Sequence, residues 1–130
     1  MAIRIQCETE TFVAGADLSA HQYGFVYQSA ANTVGKAADA QNGSEVRVFI
    51  LQNAPASGEL AECAVPGAQS LLKVVDSSAA IASDLMISTG GFGTARTGAG
   101  KYARAKVDEA GTAANQLLVV DFNQPQYVTT

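Results

Sequence analysis

The sequence predicts an all-β fold, a small single-domain β-barrel or β-sandwich with one or two short helical turns and extended termini. Two observations carry this. Short runs with period-two or β-branched character recur about every ten residues, separated by Gly, Pro, Asn and Asp breakers. No stretch keeps a 3.6-residue period for more than a turn or two.

The elements follow in order. Over residues 3–13, Ile3, Ile5, Cys7, Thr9, Thr11 and Val13 fall on one side and Arg4, Gln6, Glu8 and Glu10 on the other, the pattern of a half-buried strand. The break at residues 15–21 contains Asp17 and Ser19, either of which can cap a single helical turn. Residues 23–27 read as a short strand. Asn42-Gly43 is a hairpin-turn signal before the β-branched run Val46-Arg47-Val48-Phe49-Ile50-Leu51. After a turn-rich loop at 52–58 come strands at 60–65, 71–75, 84–88, 102–107 and 116–122, which makes eight or nine in all.

Residues 77–82 are the best remaining helical turn. The alanines at 79–82 and 110–114 favour helix by propensity, but their Asp, Ser, Gly and Asn flanks mark loops or single turns. No internal repeat is evident. The expected organisation is an N-terminal strand or arm at 1–13, a barrel domain at 14–122 and a tail at 123–130 containing Pro125.

Composition narrows the function. With 130 residues, 48% hydrophobic and 15% charged, the chain is too apolar and too weakly charged for intrinsic disorder. It carries 24 alanines and 12 glycines against nine aromatics, so a core built from it is thin, and burial against neighbouring copies is the expected supplement. The net charge of −4 disfavours nucleic acid and anionic membranes as partners. No apolar run approaches the ~20 residues of a membrane span. The first residues lack the apolar stretch of a signal peptide, so the expectation is a chain made in a cytoplasm, with Cys7 and Cys63 as reduced thiols.

Few residues suggest chemistry. His21 is the single histidine and no G-x-S-x-G elbow accompanies it, so a polar residue in or after a capped turn is the expected reading. A hydrolase using His21 with Ser19 or Cys63 is the enzyme alternative, and it lacks an orienting group in any motif. Cys7, Cys63 and His21 are too scattered for a zinc site. Gly98-Ala99-Gly100-Lys101 fails the phosphate-loop pattern at Ala95 and Tyr102, and Gly91-x-Gly93 lacks the third glycine of a dinucleotide fingerprint. Asn42-Gly43-Ser44 formally matches a glycosylation acceptor but reads as a turn. Glu8 with Glu10, and Asp108 with Glu109, read as solvated surface. No cofactor, metal or small-molecule substrate is expected.

Two patches are candidate contact surfaces. Arg96, Lys101, Arg104 and Lys106 hold half of the basic residues within eleven positions, and Tyr102, Arg104 and Lys106 share one face of a strand, suited to an acidic protein partner. The alternating segment with Ile3, Arg4, Ile5, Gln6 and Glu8 either adds to the sheet of a neighbouring subunit or forms an edge strand of its own barrel.

The stretch Ala14-Gly15-Ala16-Asp17-Leu18-Ser19 followed by Gln22-Tyr23-Gly24-Phe25-Val26 resembles the start of the tailed-phage capsid decoration, or capsid cement, family of the DUF2190 type. Ile50-Leu51-Gln52-Asn53-Ala54-Pro55-Ala56-Ser57-Gly58-Glu59 is similar to that family's V-L-x-N-x-P-x-x-G-E segment. The resemblance continues at Val65-Pro66-Gly67, at residues 80–85 and 103–110, and in the strand Leu117-Leu118-Val119-Val120, covering roughly residues 11–122. Ser83 and Lys101-Tyr102 depart from the pattern, where glycines are expected, and bear on local turn geometry.

The resemblance implies a non-enzymatic virion protein, made in the bacterial host, that assembles as a homotrimer on the exterior of the mature capsid. Its partner would be the major capsid protein, and its role to brace contacts between capsomers. The alternative is a β-barrel receptor- or glycan-binding module on the virion surface, which requires exposed aromatics in a cleft.

Overall fold

The computed structural model describes residues 8–38, 47–75, 84–88, 90–95, 101–107 and 116–128. Among them are ten strands and no helix: β1 (Thr9–Ala14), β2 (Phe25–Ala30), β3 (Thr33–Lys36), β4 (Val48–Leu51), β5 (Leu60–Ala64), β6 (Ala68–Val74), β7 (Asp84–Ile87), β8 (Gly93–Ala95), β9 (Lys101–Val107) and β10 (Gln116–Val128). The all-β fold class stands, with an architecture of two five-stranded rings. The first closes in the order β1-β3-β2-β4-β5 and the second in the order β10-β6-β8-β7-β9.

The two rings have the same topology. Replacing each strand of the first by the one five places later reproduces the second. This includes the single parallel closure, β1 with β3 through Val13↔Thr33 and β6 with β8 through Val74↔Gly93. Every other pairing is antiparallel. The chain thus contains a structural duplication that no sequence repeat announces.

Strand β4 explains how the rings join. Its four residues are all buried, and they alternate between two clusters. Phe49 and Leu51 point into the first ring beside Phe12, Ala14, Val26, Val34, Ala61 and Cys63. Val48 and Ile50 point the other way, joining Phe25, Ala37 and Ala64 against Leu72, Leu85, Ile87, Val120 and Phe122 of the second ring. A continuous apolar run, unlike an alternating one, marks a strand buried on both faces, and β4 is the wall shared by the two rings. Phe12 and Phe49 stack at 4.9 Å between centroids inside the first ring, and Phe25 meets Phe122 at 6.3 Å across the joint.

Several expectations need correction. In β1 the buried residues are Phe12 and Ala14, while Thr9, Thr11 and Val13 face outward, so the inward face is the one carrying Glu10. With this phase Phe12 packs against Phe49 inside the first ring, their aromatic planes tilted at 43°. Of the two readings of the N-terminal segment, residues 9–13 follow the strand of their own barrel, pairing with β5, while Ile3, Arg4, Ile5, Gln6 and Cys7 lie outside the described residues. The expected tail at 123–130 is strand as far as Val128. After a register shift between Phe122 and Gln126, β10 pairs again with β9, and the shift accommodates Pro125, which lacks an N–H to donate.

The helical turn expected at Asp17 or Ser19 is a series of tight turns instead. Ser19 N donates to Asp17 Oδ1 at 3.0 Å, His21 N to the Leu18 carbonyl at 3.0 Å and Gly24 N to the His21 carbonyl at 3.0 Å. Leu18 is buried in the first-ring cluster. Strands β3 and β8 were not expected. Each is short, contains glycine and shows no alternation, and each is the strand that closes its ring. The Asn42-Gly43 turn, the helical turn at 77–82, the alanines at 110–114 and the Asp108-Glu109 pair lie outside the described residues.

Candidate functional site

Two regions could carry function: the seam where the rings meet, and the outer faces of the ladders. At the seam, His21 is 4% exposed. Its Nε2 lies 2.7 Å from the Phe25 carbonyl oxygen, which can only accept, so Nε2 carries the proton. Its ring meets that of Phe92 at 4.8 Å between centroids, and Lys73 Nζ lies 4.7 Å from the centroid of the same Phe92 ring. Burial lowers the His21 pKa from its ordinary 6.5; the Phe25 carbonyl opposes this, while Lys36 and Lys73 add to it.

The backbone around His21 stitches the rings together. Phe25 N donates to the Gly91 carbonyl at 2.7 Å, and Lys73 N to the Tyr23 carbonyl at 2.9 Å. Tyr23 holds a positive φ of 63°, and its own N–H reaches the Leu51 carbonyl at 2.7 Å, so one left-handed residue bonds both rings. Gly91 has φ +87°, and a Cβ there would sit 2.6 Å from the Ala37 carbonyl oxygen and 2.6 Å from His21 Cε1. Only glycine fits that position. Gln52 adds a side-chain link, its Nε2 donating to the buried Ser70 hydroxyl at 2.9 Å.

The segments quoted for the family resemblance meet beside this seam. Ala14 N donates to the Glu59 carbonyl at 2.9 Å, Gly58 N to the Ala14 carbonyl at 2.8 Å and Leu18 N to the buried Pro55 carbonyl at 2.9 Å. Within the loop, Asn53 Nδ2 donates to the Leu60 carbonyl at 3.0 Å and Asn53 Oδ1 accepts from Glu62 N at 3.0 Å. Glu59 Oε1 accepts from Ala56 N at 2.7 Å. Each of these residues has a scaffold task in one junction. A comparison with protein-family models and with curated proteins finds no match.

The groups weighed for chemistry are occupied elsewhere. Cys63 is buried in the first ring, where burial, with Glu62 and Glu10 adding, pushes its thiol up to about 12. A neutral, buried thiol is a poor nucleophile. His21 faces the seam, whereas Ser19 is exposed and its backbone is engaged by Asp17. Among the described residues no three of His, Cys, Asp and Glu gather to hold a metal ion.

The expected contact residues divide between the rings. Glu8 is exposed where the chain enters the first ring, its carbonyl accepting from Val65 N at 3.0 Å. Arg104 and Lys106 are on β9 of the second ring, with Lys106 opposite Asp84 and Asp121 in the two flanking registers. The structure does not bring Glu8 to that strand by any strand pairing. Glu10 forms an exposed ion pair with Arg47 at 3.1 Å, and Arg47 also donates to Gln28 at 3.0 Å.

Sequence reasoning missed the exposed apolar residues Val13, Leu60 and Leu117. For Leu60 a signal was present: it shares a strand face with Glu62, and a charged residue two positions away marks that face as outward.

Proposed function

We propose that this chain is a structural virion protein that binds the outer surface of a mature phage capsid through the major capsid protein, self-associates as a trimer and braces contacts between capsomers. The observation that carries this reading is the junction of 14–19 with 51–59. The motifs behind the resemblance lie more than thirty residues apart in sequence, yet they hydrogen-bond directly to one another, as parts of one scaffold signature do.

The occupied state of His21 and Cys63 supports a non-enzymatic role. For a receptor- or glycan-binding module, aromatics in a cleft would be needed. Here Phe12, Phe25, Phe49 and Phe122 fill the cores, and the Phe92 ring is in contact with both His21 and Lys73. A ligand that binds only the expanded lattice stabilises it by ~2.7 kcal/mol per site at a hundredfold excess over Kd, and linking three sites multiplies the avidity.

The test is cosedimentation of the purified chain with expanded and unexpanded heads, followed by thermal disruption of the decorated particles. Binding to expanded heads with a raised disruption temperature is expected. Absence of binding overturns the reading. Removing residues 1–7, which leaves β1 intact, tests the arm: lost occupancy assigns the capsid contact to Ile3, Arg4, Ile5 and Gln6, and unchanged occupancy shifts it to surfaces such as β9 with Arg104 and Lys106.

A further inference from the structure

The large hydrophobic residues exposed among the described residues are Leu60 at 62%, Leu117 at 45% and Val13 at 37%. They are not scattered. Val13 and Leu60 are direct cross-strand partners on the β1–β5 ladder, and Leu117 lies on the β6–β10 ladder opposite Lys73. Under the five-strand shift that superposes the two topologies, β1–β5 maps onto β6–β10. The duplicated fold therefore exposes apolar side chains at the same place in each ring.

The charges beside these residues differ in sign. Glu62 lies two residues along from Leu60 on the same face, its carboxylate accepting from Thr11 Oγ1 at 3.1 Å. On the other ladder Lys73 stands directly across from Leu117, and Asp121 is four residues away, about 13 Å along the strand. Lys73 is a direct cross-strand neighbour of Leu117, about 5 Å away, and Glu62 lies about 7 Å along the strand from Leu60.

We propose that the outer face of the β1–β5 ladder of one copy docks on the outer face of the β6–β10 ladder of a second copy, Val13 and Leu60 packing on Leu117 and Glu62 pairing with Lys73. Like-on-like contact would set Glu62 against Glu62 or Lys73 against Lys73, and like charges at an interface are repulsive. Pairing unlike faces is head-to-tail, the contact type that generates closed rings of copies. The inference deepens the proposed assembly role by naming the seam between copies, and it rests on the self-association in that reading.

The test is light scattering after size exclusion on the full chain and on Glu62→Lys, Lys73→Glu and the double exchange, with circular dichroism to verify folding. The wild type is expected to be oligomeric. Each single reversal should raise the concentration for dissociation at least tenfold, and the double exchange should restore association. Because Lys73 also lies on Phe92, Leu117→Asp provides a second disruption outside the seam between rings and should likewise dissociate the oligomer. Unchanged mass in the folded single variants, or no rescue by the double exchange, overturns the proposal. A wild type of 13.4 kDa at all concentrations also overturns it. Cosedimentation with heads then reports separately whether capsid binding survives.

Discussion

Burial holds the His21 pKa below its ordinary value, with Lys36 and Lys73 adding to the shift and the Phe25 carbonyl, which accepts from Nε2, opposing it. Its folded pKa lies below the unfolded value, so the unfolded chain takes up the proton first as pH falls. The contribution of His21 is full above about pH 6.5 and is lost as the pH drops below it toward the lowered folded value. Melting temperature measured from about pH 7 down to about pH 5 should fall more steeply for the wild type than for His21→Gln, and equal slopes would assign the acid sensitivity elsewhere. Two glycines give a matched contrast. Gly91→Ala combines a left-handed backbone with a backbone clash and should cost about 3 kcal/mol in urea unfolding. Gly58→Ala, at φ +84° with nothing within 4 Å, should cost only about 1 kcal/mol. Of these tasks only the turn character of the glycines was legible in the chain; the burial of His21 depends on Phe92, seventy-one positions away.

At the scale of elements, β4 carries a prediction because its faces serve different clusters. Phe49→Ala should cost about 3–5 kcal/mol and Ile50→Ala about 2–5 kcal/mol. Hydrogen exchange distinguishes them: Phe49→Ala accelerates exchange first within β1 and β5, and Ile50→Ala first in β6 and β10. The same first response from both substitutions would contradict the shared wall. Strand positions with breakers around them were readable, and residues 60–65 and 84–88 fall where their local pattern puts them. Strands β3 and β8 were not readable, since a three- or four-residue strand containing Gly35 or Gly93 is held by pairing on both sides, antiparallel to β2 or β7 and parallel to β1 or β6, rather than by its own side chains.

For the whole molecule, the cluster that fills the second ring takes Phe25, Ala37, Val48, Ile50 and Ala64 from the first. The rings should therefore unfold together. Calorimetry should give one transition with equal calorimetric and van't Hoff enthalpies, and a fragment beginning at Gly67 should lack the dispersed amide spectrum of the full chain. Two separate transitions would show that the rings are independent units. Sharing one wall also answers the thinness of an alanine- and glycine-rich core: Ala37, Ala64 and Ala105 lie in the joint cluster, where small side chains let two sheets approach closely.

By itself, the sequence determined the all-β class, most strand positions, the turn chemistry and the absence of a local catalytic motif, because alternation, breakers and spacing are short-range properties of the chain. Tertiary structure decided the inward face of β1, the extension of β10 to Val128, the inter-ring setting of His21 and the repetition of one five-stranded topology. Each of these depends on which distant strand supplies hydrogen bonds or covers a face, and residues separated by tens of positions reveal that only once they are in contact.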